Sequence, residues 1–153
     1  MNRFRFRFES VLRYREIVED GKKRDFGVAL NHLRHEEASL RRIDDTISSH
    51  ETRRETRGSG RISARDLQNM YDYSRRLDSD YEQQEKAIET AARELDARRN
   101  DLVEATKRKK IFERLQERDR EIYDIEVRKE EQTASDEISS QRFNTSAGQT
   151  HRS

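Results

Sequence analysis

Phe26, Leu33, Leu40 and Ile47 follow one another at intervals of seven residues. A second row with the same spacing starts three residues later, at Ala29. In a helix, two such rows form one narrow apolar face, along which a second helix can pack and coil. This spacing predicts a coiled coil.

The composition excludes most other folds. Leu, Ile, Val and Phe supply only 29 of the 153 residues, while 42% are charged. So few apolar side chains exclude a compact enzyme-like core and long buried strands, and no apolar run is long enough to span a bilayer. The net charge of +1 argues against disorder. The lack of proline favours long helices, and the lack of cysteine excludes disulfides and thiolate metal sites.

One short segment breaks the pattern. Residues 57–61 contain two glycines, which favour the end of a helix. Ser63 and Asp66 then have the spacing of a capping box, and Ile62 and Leu67 have that of a hydrophobic staple. These signals predict that a second helix starts directly after the glycines.

These features together predict an all-α fold, an antiparallel two-helix coiled-coil hairpin. Helix 1 is expected over about 4–56 and helix 2 over about 64–138, joined by a loop near 57–62. Residues 1–138 would form a single domain, and the polar segment 139–153 a disordered tail. Facing residues should have numbers that sum to roughly 120. The seam is predicted to contain Phe26, Leu33, Leu40, Ile47, Leu77, Tyr81, Ile88, Leu95, Leu102 and Phe112.

Two interruptions of the seam are expected. The apolar residues of the first turns are expected to form a separate cluster, shifted by about one residue from the later register; these are Phe4, Phe8, Val11, Leu12 and Val18. Near Lys107 the pattern slips again, since a new apolar stripe is formed by Ile111, Leu115, Ile122 and Ile125. Polar residues at seam positions should lower the stability; these are Glu36, His50, Gln84, Arg98 and Lys109.

Charge is concentrated where the two ends of the hairpin would meet. Residues 1–24 contain 8 basic and 4 acidic residues, and residues 107–120 contain 7 basic and 3 acidic residues. Residues 121–137 are the opposite, with 7 acidic and 2 basic residues. This asymmetry favours electrostatic docking of a partner over a merely solvated face.

The alternation of Phe and Arg over residues 3–8 is interpreted as a helix start, with Phe4 and Phe8 pointing inward and Phe6 exposed. A short strand or an amphipathic membrane contact would be alternatives. The predicted partner-binding residues are Phe4, Phe6, Phe8, Arg13, Lys107, Arg108, Lys110, Arg114 and Arg118.

No catalytic, metal-binding or cofactor-binding residue is predicted. His32, His35 and Glu36 lie on adjacent helical turns, but no further ligand completes a metal site. A two-helix coil has no cleft in which carboxylates become desolvated, which argues against an enzyme and a small-molecule substrate. Arginine makes up 26 of the 33 basic residues, which suits phosphate contacts, but the interleaved acidic residues disfavour nucleic acid as the partner.

Two end segments carry a family resemblance. The first is Arg3–Glu16, with its Phe-Arg alternation and the run Val11-Leu12-Arg13-Tyr14-Arg15-Glu16; the second starts at Glu104-Ala105-Thr106-Lys107 and ends at Asp136-Glu137-Ile138. Together they resemble the FliJ family of flagellar type III export, although Ser10 stands where an apolar residue is expected.

The resemblance implies a coiled-coil stalk similar to the shaft of the rotary ATP synthase gamma subunit. Implied partners are the hexameric export ATPase, the cytoplasmic part of the export-gate membrane protein and export chaperones. The implied location is the cytoplasm, peripheral to the inner membrane. The alternatives are the stalk of a virulence-type secretion system and an Arg-rich nucleic-acid-binding coiled coil.

Overall fold

The structure, a computed structural model, describes residues 3–58 and 60–149. Helix α1 spans Glu9–Gly58 and helix α2 spans Ala64–Gln149. Within the described residues there is no strand. The two helices pack against each other, which confirms the predicted all-α helical hairpin.

Capping sets the start of α2. The Ser63 hydroxyl accepts a hydrogen bond from the Asp66 amide at 3.1 Å, and the Ser63 carbonyl accepts one from the Leu67 amide at 3.1 Å. The first contact satisfies an amide that the first turn would otherwise leave unpaired, and the second is the first backbone hydrogen bond of the helix itself. At the other side of the loop, the Gly60 amide donates to the Arg57 carbonyl at 3.1 Å, where α1 ends.

The outer ends of the two helices differ from the prediction. Helix α1 begins at Glu9 rather than near residue 4, and α2 continues to Gln149 rather than ending near residue 138. Every side chain from 128 to 146 is exposed, and hydroxyls bond back to the helix, as Thr145 does to the Gln141 carbonyl at 2.8 Å. Since local hydrogen bonds alone hold a helix only marginally, disorder of 139–153 in solution stays a prediction.

The chain divides into two compact units. One, here called the central unit, is Val18–Ala105, and the other, the terminal unit, combines Met1–Ile17 with Thr106–Ser153. The hairpin loop lies in the central unit, and all nine predicted partner-binding residues lie in the terminal unit.

Contacts in the central unit establish its antiparallel register. The Gln84 amide donates to the Glu36 carbonyl at 2.9 Å and also bonds the Glu36 carboxylate. His50 Nε2 lies 3.2 Å from the Met70 carbonyl and 2.8 Å from the Ser74 hydroxyl. Both sets of partners have numbers that sum to 120 or slightly more, as predicted from the position of the loop.

Two seam residues, Leu77 and Leu95, are buried in the central unit together with the small residues Ala29 and Ala91. The other predicted seam residues of this unit are half-buried; these are Phe26, Leu33, Leu40, Ile47, Tyr81, Ile88 and Leu102. Partial burial is expected when only two helices share a seam, because each seam side chain keeps one edge in water.

Both predicted interruptions of the seam are wrong. In α1, every seventh residue from Leu12 to Ile47 is buried or half-buried, without a change of phase. In α2 the same holds from Ser74 to Tyr123. The seam continues because the geometry of packed helices sets its position, even where that position holds a charged residue. Glu19 is the clearest case: it is only 3% exposed and pairs with Lys23 Nζ at 2.7 Å.

The polar layer of Glu36 and Gln84 allows a stability test. Replacing both with leucine is expected to raise the free energy of unfolding by about 1–4 kcal/mol, because desolvating polar pairs usually opposes their attraction. Gln84→Leu alone is expected to lower it by about 1–3 kcal/mol, because the Glu36 carboxylate then loses its amide donor. Urea unfolding followed by far-UV circular dichroism measures both. A double variant less stable than the wild type would show that this layer stabilises the hairpin.

Candidate partner-binding surface

The N-terminal segment before α1 has an alternating pattern of burial. Residues 3–6 are not helical, and the first helical bond is donated by the Leu12 amide to the Phe8 carbonyl at 2.9 Å. Phe4, Phe6 and Phe8 are buried or half-buried, while the arginines between them are exposed. The prediction that Phe6 points outward is therefore wrong. All three rings lie on one side because a non-helical segment turns alternate side chains to the same side. Phe6 is the most buried of them, at 5% exposure.

These phenylalanines pack in an aromatic cluster in the terminal unit. The rings of Phe8 and Phe112 lie 6.2 Å apart, at the level predicted from the hairpin register. Phe4 instead meets Tyr123, at 5.5 Å, farther along α2 than predicted. An extended chain advances about 3.3 Å per residue and a helix only about 1.5 Å, so a few non-helical residues cover two to three turns of α2.

The six predicted basic residues of the terminal unit are all exposed; these are Arg13, Lys107, Arg108, Lys110, Arg114 and Arg118. Four of them, Lys107, Lys110, Arg114 and Arg118, are three or four residues apart and so share one face of α2, here called the basic stripe. Arg118 lies 3.7 Å from an Asp119 carboxylate oxygen, and Arg13 lies 3.8 Å from that of Glu9. Both arginines are exposed and such ion pairs contribute little to stability, so these side chains can turn to a partner.

Ile111 lies within the basic stripe and is 63% exposed. Ile122 and Ile125, farther along α2, are also exposed, whereas Leu115 is half-buried. The predicted apolar seam stripe through these residues is therefore wrong. Extending the heptad rows of the central unit beyond Leu102 would have identified the exposed isoleucines from the sequence, because Lys109 falls at the next seam position instead.

The face of α2 that packs in the terminal unit lies opposite the basic stripe. It contains Phe112, Gln116, Asp119 and Tyr123, all half-buried. The spacing of three or four residues between them is that of the seam. The aromatic cluster therefore holds the N-terminal segment against one side of α2 and leaves the basic stripe on the other side open.

Among the described residues, no three His, Cys, Asp or Glu side chains are grouped to hold a metal ion. His32 and Glu36 are 3.8 Å apart, and His35 is exposed. No helix in the described part of the chain has the length and apolarity needed to cross a membrane.

The fold and the surface define a class of protein: a coiled-coil hairpin that presents exposed basic and apolar side chains on one helix face. The family model described as "Flagellar FliJ protein" matches residues 4–148. The chain therefore belongs to the FliJ family, a non-catalytic component of flagellar protein export. No curated protein and no solved structure matches the chain significantly.

Proposed function

We propose that this protein is a non-enzymatic adaptor of the flagellar export apparatus that binds the hexameric export ATPase through its terminal unit. The observation that supports this most is Ile111, an apolar side chain left off the seam and exposed within the basic stripe. Exposed apolar residues surrounded by exposed charged residues are typical of protein-binding surfaces. Family membership supports a role in export.

The proposed activity is to promote assembly of the ATPase ring and to connect it with the export gate and export chaperones. Binding to the ring would use the basic stripe for electrostatic attraction and Ile111 for close contact. Exposed tyrosines of the central unit, Tyr71 and Tyr73, are candidates for contact with the gate or a chaperone. The peripheral membrane location would follow from these partners.

The test is ATP hydrolysis by the cognate export ATPase, titrated with the full-length protein, together with sedimentation of the mixture. We expect a higher rate and a shift to a ring-sized species. In the variant Lys110→Glu with Arg114→Glu, half-maximal stimulation should require about tenfold more protein, because two attractive charges become repulsive.

The matched control is Lys86→Glu with Arg34→Glu, which reverses two exposed charges in the central unit. This control should stimulate the ATPase as the wild type does. Equal losses of stimulation in both variants would mean that only the net charge of the protein matters. A helical wild-type protein that neither stimulates ATP hydrolysis nor co-sediments with the ATPase would refute the ATPase role.

A further inference from the structure

The end of the hairpin carries a second concentration of positive charge. Residues 53–65, here called the hairpin tip, contain five arginines and one glutamate. All five arginines are exposed; these are Arg53, Arg54, Arg57, Arg61 and Arg65. Among residues 3–58 and 60–146, none of these guanidinium groups forms an ion pair with a carboxylate. The tip therefore has a local charge of +4 that acidic neighbours do not neutralise by direct contact.

The arginines lie on different sides of the hairpin tip and do not line a single groove. Arg53 and Arg57 line a shallow cleft on one side, together with His50 and Tyr73. Arg54 lines a different cleft, together with Leu67 and the acidic residues Glu51 and Glu55. A single peptide segment lying in either cleft would leave the other arginines unused. A broad surface with negative charge spread over it can meet all of them at once.

Apolar side chains lie next to the arginines. Leu67, near the start of α2, is 60% exposed, although its spacing from Ile62 is that of a hydrophobic staple. Tyr71, one turn farther on the same face, is also exposed, with the Arg75 guanidinium 5.9 Å from its ring. Leucine and tyrosine beside several arginines are the combination found on proteins that rest at a membrane interface.

We propose that the hairpin tip binds directly to the surface of a lipid bilayer that contains anionic phospholipids. The arginines contact headgroup phosphates, and Leu67 and Tyr71 enter the boundary between headgroups and acyl chains. The contact is peripheral and depends on salt, because most of the attraction is electrostatic. It goes beyond the proposed function, which uses protein partners only, and does not depend on it; Tyr71, a candidate there for contact with the gate or a chaperone, is assigned here to the bilayer.

The test is flotation of the full-length protein with vesicles. One set contains phosphatidylcholine and about 30 mol% phosphatidylglycerol, and the other contains phosphatidylcholine alone. We expect binding to the anionic set at about 50 mM salt and a loss of most of it at about 300 mM. Equal binding to both sets, or no binding to the anionic set, would overturn the proposal.

Two variants with equal changes in net charge show whether the tip is responsible. Arg57→Gln with Arg61→Gln and Arg65→Gln should reduce vesicle partitioning about a hundredfold, because each arginine near an anionic surface contributes about fivefold. The control replaces three exposed arginines of α1, Arg24, Arg34 and Arg41, with glutamine and should bind as the wild type does.

Leu67→Ala tests the apolar part of the contact. It should weaken binding a few-fold while keeping the salt dependence, because it removes insertion and leaves the charges. A loss of binding in the α1 control equal to that in the tip variant would overturn the proposal. So would capture of a polyglutamate peptide or of duplex RNA by the tip with no vesicle binding, since the arginines would then serve a protein or a nucleic acid.

Discussion

Leu95→Asp is expected to unfold the central unit. Leu95 is 6% exposed in the seam of α2, close to the level at which Arg99 lies over the Phe26 ring at 5.9 Å. The substitution removes about 1.5–3 kcal/mol of apolar burial and adds the larger penalty of placing a carboxylate in an apolar seam. Because domains are stable by only about 5–15 kcal/mol, and a two-helix fold belongs at the low end, the loss should exceed what the seam can tolerate.

The measurement is thermal melting followed by far-UV ellipticity. Wild type should melt cooperatively, while Leu95→Asp should lose most of its ellipticity before the wild-type transition begins. The control is Val28→Asp, which makes the same kind of change at a side chain that is 70% exposed. It should shift the midpoint by only a few degrees. If Val28→Asp were as damaging as Leu95→Asp, the assignment of the seam would be wrong.

The hairpin and its register could be predicted from the sequence because they depend on local signals. Two glycines, a capping serine and a heptad pattern each act over a few residues, and the position of the loop then determines which residues face one another. For this reason Phe8 meets Phe112 and Glu36 meets Gln84, as the register implies.

The errors arose where hydrophobicity and geometry disagree. The new apolar stripe through Ile111 was predicted from hydrophobicity, whereas the structure keeps the phase of the seam and places Lys109 there, with a side chain that is only 20% exposed. Glu19 was missed for the same reason. A charged side chain can lie in a narrow seam when it has an ion-pair partner, as Glu19 has in Lys23 and Lys109 has in Glu113, so a charged residue is a weak signal against a seam position.

The terminal segment could not be derived from the helix period. The Phe-Arg alternation has the period of extended chain, whereas the helix-start interpretation placed Phe4 and Phe8 inward and Phe6 outward. In the structure the segment packs on α2 without forming a strand, and Phe6 becomes its most buried ring. Phe6, predicted as the exposed contact, is therefore buried, and Ile111 is the exposed apolar residue proposed in its place.

Phe6→Ala and Ile111→Ala are expected to affect different measurements: the first amide hydrogen exchange, the second the affinity for the export ATPase. Phe6 packs edge-on against Phe8 at 6.0 Å, and deleting a buried ring usually removes about 3–5 kcal/mol. The N-terminal segment should then detach from α2, and amide hydrogen exchange should accelerate over residues 9–17. Ile111→Ala removes an exposed side chain, so exchange should be unchanged, while the apparent affinity for the export ATPase should fall about five- to tenfold.

The two variants distinguish a residue that supports the fold from one that contacts the ATPase. Phe6→Ala changes amide hydrogen exchange directly and ATPase affinity only indirectly, whereas Ile111→Ala changes ATPase affinity and leaves exchange unchanged. Phe6→Ala should weaken ATPase binding only to the extent that it detaches the N-terminal segment from α2. The loss of exchange protection over residues 9–17 and the loss of ATPase affinity should therefore diminish together at lower temperature, where the segment packs on α2 again. Should Phe6→Ala abolish binding with wild-type exchange over residues 9–17, Phe6 would contact the ATPase itself. Should Ile111→Ala accelerate exchange as strongly as Phe6→Ala does, Ile111 would belong to the packed face of α2, and the basic stripe would lose its apolar contact.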